Sequence, residues 1–79
     1  MAEYPPIHAP LRPSWLCTAC GEEWPCITRK RQLKELLRCD VQRLRRYMHP
    51  YVPIALVELD ELDEARVHER FVSWCGKPL

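Results

Sequence analysis

Seventy-nine residues allow one small domain, 1–79, and a chain this short leaves so much surface in water that a staple is expected beyond its apolar core. Twelve Lys or Arg nearly cancel eleven Asp or Glu, and the net charge of +1 argues neither for nor against a nucleic-acid partner. No stretch approaches the ~18 apolar residues of a membrane span, and the opening MAEYPPIHAP has neither the basic start nor the apolar run of a secretory signal, so a cytoplasmic chain with reduced thiols is expected.

Residues 1–27 form the first piece, a proline-rich arm followed by a knuckle. Pro5, Pro6, Pro10 and Pro13 fix φ and disfavour helix in the residues before them, so the arm is expected to be extended. The knuckle carries Cys17, Cys20, Gly21 and Cys26, and Trp15 and Trp24 flank it. Both indoles are expected to shield the cysteines from water and form a second small core.

From residue 28 to 79 the pattern is helical. Leu33, Leu36, Leu37, Val41, Leu44, Tyr47 and Met48 recur at steps of three and four, which predicts one helix over 29–48 with Thr28 as its N-cap. Pro50 and Pro53 end it and start a second helix over 51–62, with Ile54, Leu56, Val57, Leu59 and Leu62 apolar. Asp63 caps a third over 64–74, whose inward stripe is Val67, Phe71 and Trp74, and Gly76 and Pro78 stop it. The expected fold is mostly α: a zinc knuckle leading into a small antiparallel three-helix bundle.

The cysteines carry the chemistry. An odd count of five in a reducing compartment argues against a disulfide framework. In Cys17-Thr-Ala-Cys20-Gly21, two residues between cysteines let both sulfurs face one ion, and the glycine readily takes the left-handed turn that aims backbone N–H groups at them. Cys26 adds a third thiolate. A structural zinc needs four ligands, and His8, Cys39, Cys75, His49 and His68 are the candidates for the last. The stiff arm can fold His8 back over the knuckle. Cys39 falls off the apolar face of its helix, Cys75 beside Trp74 reads as a small buried hydrophobe, and His49 and His68 read as surface residues. His8 is preferred, with Cys39 or Cys75 as the alternatives, and Zn²⁺ is the metal that suits three thiolates and one imidazole. Loss of the metal is expected to loosen 1–27 and leave much of the helical signal.

The run His8-x3-Arg12-Pro13-x-Trp15-x-Cys17-x2-Cys20-Gly21-x2-Trp24-Pro25-Cys26 resembles the opening of small, poorly characterised zinc-binding proteins of high-GC Gram-positive bacteria. Those proteins continue with a Leu- and Arg-rich helical body ending in a Phe-x-x-Trp step, here Phe71 to Trp74. The resemblance implies His8, Cys17, Cys20 and Cys26 as the metal set. Some members carry an automatic flavin reductase label, but the resemblance supplies no well-founded activity.

Charge along the body is uneven. Residues 28–47 hold eight Lys or Arg against Glu35 and Asp40, and 58–69 hold six acids against Arg66. Arg29, Lys30 and Arg31 oppose the dipole at the start of their helix, which calls for nearby negative charge from the thiolates or from an outside anion. The helix N-terminus and Arg12 would then balance the metal cluster. On one continuous helix Arg31, Lys34, Arg38 and Arg45 would lie within about 60° of each other. That track could pair with Glu58, Glu61 and Glu64, or meet a protein or nucleic-acid partner. With two glycines and no phosphate loop, catalysis has little to stand on. The leading expectation is a non-enzymatic, zinc-stabilised module that binds a larger protein, with a regulatory role associated with transcription. A small nucleic-acid-binding protein is the first alternative and a zinc or redox enzyme the second. No membrane partner is expected, and self-association is left open.

Overall fold

The computed structural model describes residues 7–78. Two short strands, β1 (Pro10–Leu11) and β2 (Leu16–Cys17), precede helices α1 (Ile27–Leu36), α2 (Val41–Met48), α3 (Tyr51–Glu58) and α4 (Glu64–Phe71), and a 3₁₀ turn covers Ser73–Gly76. The mostly-α class holds. The three-helix bundle does not, because the first helix is divided and a strand pair lies where an extended arm and turn were expected. The strands run antiparallel, with Pro10 opposite Cys17 and Leu11 opposite Leu16. Leu11 closes the loop between them by accepting from the Trp15 N–H at 2.7 Å and the Ser14 hydroxyl at 2.9 Å. Proline is tolerated at such an edge because the ladder there needs no N–H from it.

The long helix predicted over 29–48 breaks between Leu36 and Val41. Arg38 and Cys39 turn left-handed, at φ 53° and 56°. The Cys39 N–H then reaches back to the Lys34 carbonyl at 2.7 Å, satisfying an acceptor at the helix end. Asp40 starts α2, its carboxylate accepting from the Arg43 N–H at 3.2 Å. Apolar periodicity ran unbroken through this stop, which is why it was missed; the Asp cap was the local signal. The break changes which residues face inward: Leu33, Leu44 and Met48 are buried, whereas Leu36 is 70% exposed.

The α1 cap also differs from expectation. Cys26, not Thr28, caps it, its sulfur accepting from the Arg29 N–H at 3.4 Å. The second predicted helix ends four residues early, at Glu58. Its inward residues are Val52 and Ala55, while Ile54 and Val57 face outward. A helix apolar on every side does not announce its buried face. Asp63 caps α4 as expected, accepting from the Arg66 N–H at 2.9 Å, and Val67, Phe71 and Trp74 are buried. The α-helix itself stops at Phe71, and the 3₁₀ turn carries Trp74.

One contiguous core joins the arm to the helices. Trp15 and Trp24 are completely shielded and belong to the same cluster as Leu33, Leu44, Val67 and Phe71, so no separate second core exists among the described residues. Trp15 meets Phe71 edge-on at 5.3 Å between centroids, and Trp24 meets Tyr51 at 5.0 Å. Such contacts contribute about 0.5–1.5 kcal/mol beyond area burial. Arg70 adds a polar tie: its Nε donates to the Trp24 carbonyl at 2.9 Å and its Nη2 to the Trp15 carbonyl at 2.7 Å.

Glu58, at the end of α3, ties the arm from the other side. It accepts from Arg12 Nε at 2.7 Å, Arg12 Nη2 at 3.0 Å and Trp15 Nε1 at 2.9 Å. The hydrogen bond from Arg12 holds its carboxyl below the ordinary value, against the opposing effect of desolvation. A lowered folded pKa contributes stability above the unfolded pKa, about 4.3, and loses it as pH falls through the folded value. Glu58→Gln is therefore expected to be less stable than the parent at neutral pH, with the difference shrinking below about pH 4.3. Urea midpoints of both chains across that range check it, and a pH-independent difference would exclude the ion pair as its source.

Candidate metal centre

The strand pair delivers Cys17 to the start of a tight loop. Its N–H donates to the Glu22 carbonyl at 2.6 Å, and the Gly21 N–H returns to the Cys17 carbonyl at 2.9 Å. Gly21 takes φ 76°, the left-handed turn expected of it. This loop projects Cys20. Cys26 is the N-cap of α1, its sulfur held at the helix start by the Arg29 N–H.

His8 closes the set from the arm. Its backbone is anchored on both sides: Trp24 Nε1 donates to the His8 carbonyl at 2.9 Å, and the Thr18 N–H donates to the Ala9 carbonyl at 2.9 Å. The buried ring then places Nδ1 3.2 Å from the Cys17 sulfur and 3.3 Å from that of Cys26, with the two sulfurs 3.8 Å apart. The ligand atoms of His8, Cys17, Cys20 and Cys26 all lie within 4.8 Å of one another. A tetrahedral zinc with Zn–S of about 2.3 Å and Zn–N of about 2.05 Å spans S···S edges of about 3.8 Å and N···S edges of about 3.6 Å. The Cys17–Cys26 sulfur separation matches that edge and the two N···S separations fall somewhat short of theirs, while the sulfurs are well beyond the bonding distance of about 2.05 Å for a disulfide. All five cysteines are free. The four residues are clustered to hold a metal ion.

The thiols of the cluster act on one another's ionisation. Burial pushes the Cys17 thiol up, but the Ala19 and Cys20 N–H groups and the thiols of Cys20 and Cys26 outweigh it and bring it to about 6. The Glu22 N–H pulls Cys20 down, yet burial and the neighbouring thiols of Cys17 and Cys26 keep it above its ordinary value. Like charges this close repel, and a divalent cation bound among them would offset that repulsion.

The alternative ligands lie elsewhere. Cys39 is exposed in the break between α1 and α2, and Cys75 is buried in the helical core, where burial raises its thiol. His49 and His68 are surface residues that line a groove of about 790 Å³ between α3 and α4.

No protein-family model, curated protein or solved structure matches this chain.

The basic residues expected along helix one do not share a single helix. The break after α1 removes the continuous helix on which Arg31, Lys34, Arg38 and Arg45 were to form one track. Nor do they pair with Glu58, Glu61 or Glu64. Among the described residues the ion pairs are Arg12–Glu58 and Arg43–Asp40. Lys34 instead donates from Nζ to the Lys77 carbonyl. Arg12, expected to balance the thiolates, is instead paired with Glu58. The basic first turn of α1 does follow directly on a ligand sulfur, as the dipole argument required. Glu58 and Arg70, which clamp the tryptophans, were missed, because each acts across more than forty residues of chain and no local pattern marks it.

Proposed function

We propose that this chain is a non-enzymatic, zinc-stabilised interaction module that docks on a larger protein in a regulatory role. The observation that supports it most is one imidazole nitrogen and three sulfurs within 4.8 Å of one another. Three thiolates and an imidazole are a donor set suited to zinc, and four protein ligands complete a tetrahedron of the structural kind. His8, Cys17, Cys20 and Cys26 would hold the ion, which when bound supplies folding free energy to a small chain. The resemblance of the opening His8-to-Cys26 run to that of small bacterial zinc-binding proteins supports the same reading. The docking role draws on the surface: apart from Arg43, the cations on α1, α2 and α4 stand without acidic partners among the described residues.

X-ray absorption on purified, reduced protein tests the reading. The expected spectrum has a zinc edge and a first shell of three sulfurs and one nitrogen, and His8→Ala should lose the nitrogen and bind zinc more weakly. A folded chain without metal, or a first shell with a bound water in place of the imidazole, would reject it.

A further inference from the structure

We infer that the docking surface is a stripe of five cations, Arg66 and Arg70 on α4, Lys30 and Lys34 on α1, and Arg45 on α2, and that it takes an acidic, carboxylate-bearing protein segment. The inference rests on the interaction-module reading above and names its partner's chemistry. Lys30, Arg66 and Arg70 line one cleft of about 310 Å³, together with Glu23, Pro25 and Glu69. Lys34 donates from Nζ to the Lys77 carbonyl just past the 3₁₀ turn, and Lys30, Lys34 and Arg45 all act on the Cys75 thiol inside that turn. Arg45 Nη2 lies 3.6 Å from where a Cβ on Gly76 would be, so it reaches over the end of the 3₁₀ turn. Lys30 belongs to both groups and makes the stripe continuous across three helices.

Arg70 stands near enough to Lys30 to oppose its charge, Glu23 and Glu61 offset Arg70 only in part, and the described residues place none of the five cations in an ion pair. An anionic partner removes that repulsion. Arg70 is fixed for the purpose, because its bonds to the Trp15 and Trp24 carbonyls hold the guanidinium in one place. That placement reduces the side-chain entropy lost on binding.

Carboxylates at intervals fit this surface better than a phosphate chain. Glu23 and Glu69 sit in the cleft among the cations and would repel a continuous polyanion. Trp15, Trp24 and Trp74 are all buried and present no face on which bases could stack.

Fluorescence anisotropy of a labelled peptide of alternating Glu and Ser, titrated with the full metal-loaded chain at low salt, tests the inference. Binding is expected, and Arg45→Glu with Arg66→Glu should weaken it by roughly tenfold or more. Arg31→Glu with Arg38→Glu makes the same change of charge outside the stripe and should weaken it by no more than about threefold. Zinc content measured on each sample separates loss of the surface from loss of the metal. Equal weakening by the two pairs, no binding of the peptide by zinc-loaded protein, or tighter binding of a labelled single-stranded oligonucleotide at the same salt would each overturn the stripe. A chain that retained no zinc would instead count against the reading on which the inference rests.

Discussion

Chelating the metal from this protein should unfold the helices together with the arm. The sequence suggested a milder result, in which the first 27 residues loosen and the helical signal persists. The shared core changes that expectation. Trp15 and Trp24 are held by the arm and knuckle, yet they pack against Tyr51 and Phe71 of the body. Each buried indole is worth up to about 4–6 kcal/mol on area grounds, and losing two approaches the whole stability of a small domain, about 5–15 kcal/mol. Structural zinc contributes about 10–16 kcal/mol of apparent binding energy in small peptides, enough to hold both parts. Circular dichroism and tryptophan emission followed during chelator titration should change in one coincident transition. Emission that shifted while most of the helical signal remained would show that the body stands without the arm.

The second large effect concerns Trp24, which joins the core to the site. Trp24→Ala empties a completely buried position and should cost about 3–5 kcal/mol in unfolding free energy. Trp24→Phe separates packing from hydrogen bonding. The phenyl ring keeps much of the contact with Tyr51 and Phe71, but the His8 carbonyl loses its donor. Leaving that acceptor unpaired should cost about 1–3 kcal/mol. Because the bond positions a ligand, zinc affinity should also fall about 10–100-fold, as measured by competition with a chromophoric chelator. Trp74→Phe provides the comparison. Its indole N–H donates to the Phe71 carbonyl, away from the cluster, so it should lower stability and leave zinc affinity unchanged. If both Phe variants changed affinity alike, the Trp24 indole would have no special hold on His8.

What the chain alone could determine was local chemistry. Cys17, Cys20 and Gly21 announce a knuckle because ligand spacing and a left-handed glycine act over five residues, and the structure keeps all three roles. His8 could be chosen as fourth ligand because a proline arm has few ways to lie. Asp63 marked the start of α4, since a cap is a contact between near neighbours. The break at Arg38 and Cys39 was less legible, because periodicity continued across it and only the Asp40 cap gave it away.

Tertiary structure decided the rest, and the reason is range. Which face of α3 turns inward depends on what lies opposite, and a run apolar on all sides leaves that open. Glu58 reaches Arg12 and Trp15 across a gap in sequence of more than forty residues, and Arg70 reaches both tryptophan carbonyls in the same way. The basic residues show it most clearly. A helical wheel grouped Arg31 and Arg38 with Lys34 and Arg45, whereas the folded chain brings Lys30, Arg66 and Arg70 into one cleft. Angles along one helix carry no information about which other helix will lie beside it.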